Sequence, residues 1–288
     1  MNHQTGSLYV VATPIGNLGD LSPRAVETLK AVDYILAEDT RVSARLLQAF
    51  NIATRLRSFH EHNENRLSES VIEDIRGGGR VALISDAGTP LLSDPGYLLV
   101  RGLQEAGLAV RVIPGPSALT AALSVAGLPP RPVWFEGFLP PKSDARIRRL
   151  QSLQNLSATL VFYEAPHRVR RTLADMCRVF SPERMAAFAR ELSKRFEQTR
   201  LGTLATLSEC LEQQAPRGEF VILVQGAAES RPQEQELNRI LGLLLDELPT
   251  RKAAAMAAAI TGTRRNDAYQ QALAIKQHAA REENGNPD

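Results

Sequence analysis

The run Ser85–Gly96, read S-D-A-G-T-P-L-L-S-D-P-G, constrains the fold more than any other stretch of the chain. It follows Arg80-Val81-Ala82-Leu83-Ile84, a short apolar run opened by glycines that reads as a buried strand. It precedes Tyr97–Leu103, whose apolar residues have helical spacing. Asp94 and Pro95 suit the N-cap and the first position of that helix. The run is therefore a loop at the carboxyl end of a strand, where open α/β sheets bind ligands. With two Gly and two Pro it exceeds the usual length of about two to six residues for such loops. It offers backbone N–H and C=O groups to a nucleoside or amino-acid moiety, or it is a plain connection built of tight turns.

The same design recurs. Leu8–Ala12 is β-prone and runs into T-P-I-G-N-L-G-D, with Ser22 and Pro23 starting a helix. Ala109–Ile113 runs into P-G-P-S-A, where Ser117 is a natural N-cap at a helix end suited to a polar ligand group. Neither loop is the G-x-G-x-x-G dinucleotide fingerprint or a Gly-Lys-Ser/Thr phosphate loop. Between them, Val32–Ala37 reads as a strand ending in Glu38-Asp39-Thr40-Arg41, which either binds substrate or caps the next helix through Asp39. The stretch F-H-E-H-N-E follows, with His60 and His62 two residues apart. No cysteine or third histidine joins them, so hydrogen bonding, proton transfer or a plain turn fits them better than a metal site.

Leu128-Pro129-Pro130-Arg131-Pro132 marks a domain boundary. The expected organisation is an α/β domain over 1–128 with glycine-rich loops, a mixed α/β domain over 129–228 and a helical extension over 232–288. In the second domain, strands are expected at 133–138, 159–164, 185–192 and 219–224, with a hairpin partner from Phe196 to Leu204 and a basic helix at 143–154. In the extension, Thr250 and Asn266 read as caps around a helix–Gly262–helix pattern like a helix-turn-helix. Arg251, Lys252, Arg264 and Arg265 would meet phosphates there, or the helices simply pack on the body or a partner subunit. Residues 282–288 read as a frayed end.

Net charge is +2, but residues 142–200 hold 13 Lys/Arg against 6 Asp/Glu. A basic middle points to a polyanionic partner, or to a solvated helix face with paired arginines. The two cysteines, Cys177 and Cys210, have no metal-like or redox-like spacing. The start lacks signal-peptide order, and no apolar run approaches the roughly 18 residues of a membrane span. A soluble, cytoplasmic protein without a metal is expected.

Taken in order, T-P-I-G-N-L-G-D, A-E-D-T-R, F-H-E-H-N-E, S-D-A-G-T-P-L-L-S-D-P-G, P-G-P-S-A, Y-E-A-P-H-R and R-E-L-S-K resemble the tetrapyrrole methylase superfamily, in its branch that modifies ribosomal RNA. The resemblance spans about residues 5–278. Porphyrinoid-modifying relatives tend to show Gly-Asp-Pro where this chain has Gly88-Thr89-Pro90, which favours the RNA branch. The resemblance implies a fold of two α/β domains with the cofactor, S-adenosyl-L-methionine, in the cleft between them. It also implies 2′-O-methylation of a cytidine ribose in the decoding centre of 16S ribosomal RNA. The substrate would be the assembled small ribosomal subunit, and the enzyme a homodimer. Carried over onto matching motifs, the cofactor contacts are Pro14, Asp86, Gly88, Pro90, Leu91, Leu92, Ser117, Ala118, Tyr163 and Glu164. Ala189 and the stretch at Glu219 and Phe220 match less closely.

Methyl transfer to a hydroxyl also needs a base close to the oxygen. His62, Glu164 and Asp39 are the candidates. Arg41, His167, Arg168, Arg190 and Lys194 are candidates for phosphate or ribose contacts. Two other readings remain: a methyltransferase of a small heterocycle, and a nucleic-acid-binding regulator built on the C-terminal helices.

Overall fold

The computed structural model describes residues 6–213, 216–228 and 232–284. The chain divides into a unit of residues 1–227 and a unit of residues 228–288.

The first unit opens with a parallel sheet of β1 (Ser7–Val11), β2 (Tyr34–Ala37), β3 (Arg55–Ser58), β4 (Arg80–Ile84) and β5 (Ala109–Ile113), in the order β3-β2-β4-β1-β5. Its strands alternate between helix α1 (Pro23–Ala31), α2 (Thr40–Ala49), α3 (Glu61–Arg76), α4 (Tyr97–Glu105) and α5 (Ala118–Val125). Side chains take the two faces in turn along each strand. Val11, Ile35, Ala37, Ala82 and Ile84 pack against Ala25, Leu29 and Leu47 of α1 and α2. Leu8, Leu36, Val81 and Leu83 pack against Val71, Ile75, Leu99 and Leu103 of α3 and α4. The connections after the neighbouring strands β1 and β4 thus leave to opposite faces, which opens a crevice at their carboxyl ends. There the two loops join: the Thr13 N–H donates to the Gly88 carbonyl at 2.8 Å, and the Gly88 N–H to the Thr13 carbonyl at 3.0 Å.

The second sheet holds β6 (Val133–Phe138), β7 (Thr159–Glu164), β8 (Met185–Arg190), β9 (Gln198–Thr203) and β10 (Phe220–Val224), in the order β6-β7-β10-β8-β9. Only β6 and β7 run parallel; the other neighbours are antiparallel. Phe162, Phe188 and Phe220 on one face pack under helix α6 (Ser143–Leu153), α7 (Val169–Phe180) and α8 (Leu204–Gln213). The other face is built of smaller residues, including Ala187, Ala189 and Val221, and receives Ala122 of α5 and Ala126 at its C-cap. Because α5 starts at the end of β5, one helix ties the second sheet to the first. The unit 228–288 packs α9 (Pro232–Leu245), α10 (Thr250–Thr261) and α11 (Arg265–Asn284) around Leu241, Ala257, Ala258 and Ala272. Among the described residues no helix is long and apolar enough to cross a membrane.

Several local expectations need correction. Helix α4 is capped at Gly96, not Asp94. A carboxylate from another helix does that work: Glu64 Oε1 on α3 accepts from the Gly96 N–H at 3.1 Å and the Leu98 N–H at 2.9 Å. Asp94 is thereby left to face the crevice. Helix α10 is capped at Pro249 rather than Thr250, and α11 begins at Arg265, one residue before the expected Asn266 cap. The hairpin strand β9 covers only Gln198–Thr203. Strand β3 and helices α7 and α8 have no counterpart in the sequence reading. Of the expected frayed end, residues 282–284 continue α11, and residues 285–288 lie outside the described residues.

Part of the basic segment serves the fold. Arg146, 3% exposed, donates from Nε to Asp175 Oδ2 at 2.8 Å and from Nη1 to the Pro140 and Pro141 carbonyls. This clamps α6 to α7 and fixes the turn after β6. Asp175→Ala leaves a buried, unpaired guanidinium and is expected to cost about 3–5 kcal/mol in urea denaturation, whereas Arg146→Met with Asp175→Leu should cost far less. Equal losses for the single and double variants would contradict this.

Candidate functional site

A cavity of about 650 Å³ lies between the two sheets, within the usual range for small-molecule sites. Its walls come from the loop after β4, the turn into α5, the carboxyl end of β7, the segment after β8 and the start of β10. Ile15, Leu92, Leu192 and Val221 make it apolar, and polar groups stand at its edges.

Backbone strain gathers around it. Leu91 and Ser93 in the loop after β4, and Glu191 and Ser193 after β8, sit at φ 73°, 76°, 52° and 65°. These are left-handed conformations that side chains disfavour by about 1–2 kcal/mol each. Cross-connections hold them. The Ser193 hydroxyl bonds the Asp20 carboxylate beside the first loop, and Ser93 Oγ lies against Gly137 of β6. Gly88, at φ 84°, lets the backbone turn under the cavity where its amide meets Thr13.

Of the cofactor residues expected from sequence, Asp86, Gly88, Leu92, Ser117, Ala118, Tyr163 and Glu164 line this cavity, as do Glu219 and Phe220. Pro14, Pro90, Leu91 and Ala189 do not. Ala189 is fully buried against α5, and Leu91 packs toward the α3–α4 core. Ser117 is 9% exposed, caps α5 without a hydrogen bond from its side chain, and its hydroxyl has no partner. An orphaned hydroxyl at a helix N-terminus is an open acceptor and donor for a polar ligand group.

The expected base candidates fare differently. His62 is exposed on α3 and outside the cavity. Asp39 caps α2 through the Arg41 N–H and pairs with the Arg41 guanidinium, which holds its carboxyl down at about 2. Glu164 lines the cavity but is committed: it accepts from the Ala165 N–H at 2.9 Å and from the Thr172 hydroxyl, and pairs with Arg168 Nε at 3.2 Å. Arg168 in turn donates to the Leu139 carbonyl at 2.7 Å. It is a brace between β7 and the turn after β6, not an exposed phosphate ligand.

Among the other expected substrate contacts, His167 and Lys194 line the cavity and Arg41 and Arg190 do not. Lys194 pairs with Glu191 at 2.9 Å, and the Arg190 guanidinium lies 5.8 Å from the Phe220 ring centre. Lys142, Arg148, Arg171, Arg178 and Arg195 are exposed on this half of the unit.

The sequence reading missed Asp94. Burial, then the neighbouring Glu38 and Asp86 carboxylates, push its carboxyl up to about 7, against a hydrogen bond from Ser85. Burial and then Asp86 also raise Glu38, and burial raises Asp86, although the Asp39 N–H donates to Asp86 at 3.1 Å. Three carboxyl groups thus share one cavity wall. Such a wall attracts a cation and offers a proton acceptor poised near neutrality. The signal was present in A-E-D-T-R and S-D-P-G, but Asp94 looked like a helix cap.

The family described as Tetrapyrrole (Corrin/Porphyrin) Methylases matches residues 7–208, and the RsmI C-terminal HTH domain matches residues 231–276. A relative from Pseudomonas aeruginosa named Ribosomal RNA small subunit methyltransferase I is 54% identical over 93% of this chain and 97% of its own length. One of that name from Xylella fastidiosa is 51% identical over 92% of this chain and 98% of its own. The crystal structure of uroporphyrin-III-C-methyltransferase from Thermus thermophilus shares the fold with a TM-score of 0.54 at 21% identity, covering 85% of this chain and 99% of that one. Two α/β sheets around one cavity, followed by a helical module, define a methylase fold. The chain belongs to the tetrapyrrole methylase family, in the group of the ribosomal RNA small subunit methyltransferases I, and is a methyltransferase.

Because Glu64 fixes the end of the loop after β4, Glu64→Ala should free the Gly96 and Leu98 amides. Hydrogen exchange at both is expected to rise by roughly tenfold or more while β4 amides keep their protection. Unchanged exchange at Gly96 would show that the loop is held by other means.

Proposed function

We propose that the enzyme uses S-adenosyl-L-methionine to methylate the 2′-hydroxyl of a cytidine in the decoding centre of 16S ribosomal RNA, with the small ribosomal subunit as substrate. The observation that carries this reading is the 54% identity, over 93% of the chain, with a relative whose name specifies small-subunit ribosomal RNA. The cavity suits the donor. It joins apolar walls to the orphaned Ser117 hydroxyl, the Gly88 turn and a wall of three acids beside which a sulfonium is welcome. When bound, S-adenosyl-L-methionine supplies a methyl group on a positively charged sulfur.

The chain's own residues would do the rest. Ser117 and the backbone near Gly88 hold polar groups, and Ile15, Leu92 and Leu192 exclude water. Methylation of an alcohol oxygen requires that the hydroxyl proton be removed, and Asp94 Oδ would take it. Asp94 serves this role better than His62, Asp39 or Glu164, which lie outside the cavity, are held acidic by Arg41, or are fully paired. The exposed cations of residues 142–200 support binding of a polyanion, and His167 stands at the cavity itself. Exposed Val112, Val125 and Leu201 give the proposed homodimer apolar surface to bury. A cytoplasmic location follows from the proposed substrate.

Mass spectrometry of small-subunit RNA from cells lacking the protein should show the loss of one 2′-O-methylated cytidine, restored by the gene. Persistence of every 2′-O-methyl group would refute the assignment. The pH profile tests the base. Asp94 is active when ionised, so kcat/KM should rise with pH to a plateau above about 7. A cation in the cavity favours the carboxylate, so the same limb in kcat should lie at lower pH. Asp94→Asn should cost roughly 10²–10⁴-fold in kcat and remove that limb. A variant that keeps the limb would sink Asp94 as the base and assign the limb to Glu38 or Asp86, the other raised carboxyls of the wall.

A further inference from the structure

Strand β6 contains an irregularity that aims an aromatic side chain at the cavity mouth. In a regular strand, residues three apart point to opposite faces. Yet Phe135 and Phe138 both pack edge-on against Tyr163 of β7, with ring centres 5.0 and 5.7 Å away. They do so because the register with β7 shifts between Phe135 and Gly137, the signature of a β-bulge. Gly137 takes φ 74°, and a Cβ there would come within 2.8 Å of Ser93 Oγ. The bulge is thus locked against the loop after β4, and it turns Phe138 from the α6 side of the sheet to the cavity side.

The result is a short aromatic ladder. Phe135 and Tyr163 form its inner part in the core beneath α5, where burial raises the Tyr163 hydroxyl. Phe138 forms the outer rung; it lines the cavity and is still 55% exposed. A phenylalanine so exposed adds little to stability, and aiming it required a bulge and a left-handed glycine. Bulges next to active sites commonly re-aim a side chain in this way.

We propose that Phe138 is a stacking platform for the nucleobase of the target nucleotide, an inference that rests on the RNA substrate of the preceding subsection. Paired RNA displays its 2′-hydroxyls in a shallow minor groove, but Asp94 lies inside a cavity between two sheets, and bringing the hydroxyl to it draws the nucleotide out of its stack; an extruded base needs a π-surface to replace the one it lost. Phe138 offers that surface at the rim. His167, exposed on the same cavity, stands where the backbone of such a nucleotide would pass.

The test uses the full-length enzyme, S-adenosyl-L-methionine and small ribosomal subunits carrying unmethylated RNA. Stacking measured by alanine substitution corresponds to roughly ten- to a hundredfold in affinity. Phe138→Ala should therefore lower kcat/KM for the subunit by about that factor, mostly through KM. Calorimetric affinity for S-adenosyl-L-methionine and the melting temperature should stay at wild-type values. Phe138→Leu keeps apolar bulk without a π-face and should fall as far as the alanine variant, whereas Phe138→Trp should recover wild-type kcat/KM. Recovery by leucine, or loss of donor affinity in place of subunit affinity, would overturn the platform. So would wild-type kcat/KM in Phe138→Ala while the wild-type enzyme methylates the subunit. A wild-type enzyme that leaves the subunit RNA unmethylated would instead overturn the substrate reading, and the platform with it.

Discussion

Everything at the cavity depends on backbone that its own sequence does not favour. Four non-glycine residues hold left-handed conformations in the loops that flank it. Together they cost several kcal/mol, at about 1–2 kcal/mol each. Such conformations persist only where the surroundings over-determine them. Here the surroundings are two contacts that cross between the sheets and one clamp within the first half. Ser93 closes on Gly137, Ser193 closes on Asp20, and Glu64 clamps the end of the loop after β4 from a neighbouring helix. The two sheets of the first unit are therefore more than adjacent: each holds the other's loops in shape.

That interdependence accounts for the chemistry available. Folding the loop after β4 against the second sheet drives Asp94 inward beside Glu38 and Asp86, where burial works against ionisation. The same closure places the orphaned Ser117 hydroxyl at the head of α5. A crevice rich in backbone polar groups but poor in charge would bind many nucleosides. The acid wall, with its carboxyls raised, narrows the preference toward a ligand that brings positive charge.

Much of the fold was legible because the first half repeats one local design. Strand, Gly/Pro turn and helix are each written in neighbouring residues, and the unbroken apolar run Val81–Ile84 states a strand buried on both faces. Ser22 and Asp39 cap their helices as their positions suggest. What stayed hidden is long-range. The cap of α4 comes from Glu64, more than thirty residues away in the chain, so Asp94 was taken for a cap. Strand β3 carries two arginines in four residues and is a strand only because β2 pairs with it. The charge excess of residues 142–200 was visible, but not that Arg146, Arg149, Arg168 and Lys194 spend theirs on Asp175, Glu136, Glu164 and Glu191. The bulge at Gly137 has no local mark beyond the glycine itself.

The central claim is that these mutually braced loops form a receptor for a methyl donor between the sheets. A crystal structure of the enzyme with S-adenosyl-L-methionine tests it most directly. The account predicts density for the donor within the cavity, with polar atoms on Ser117 and on the backbone near Gly88 and the sulfonium toward the acid wall. Density for the donor at another surface, with the space between Ser117 and Tyr163 left to solvent, would contradict it.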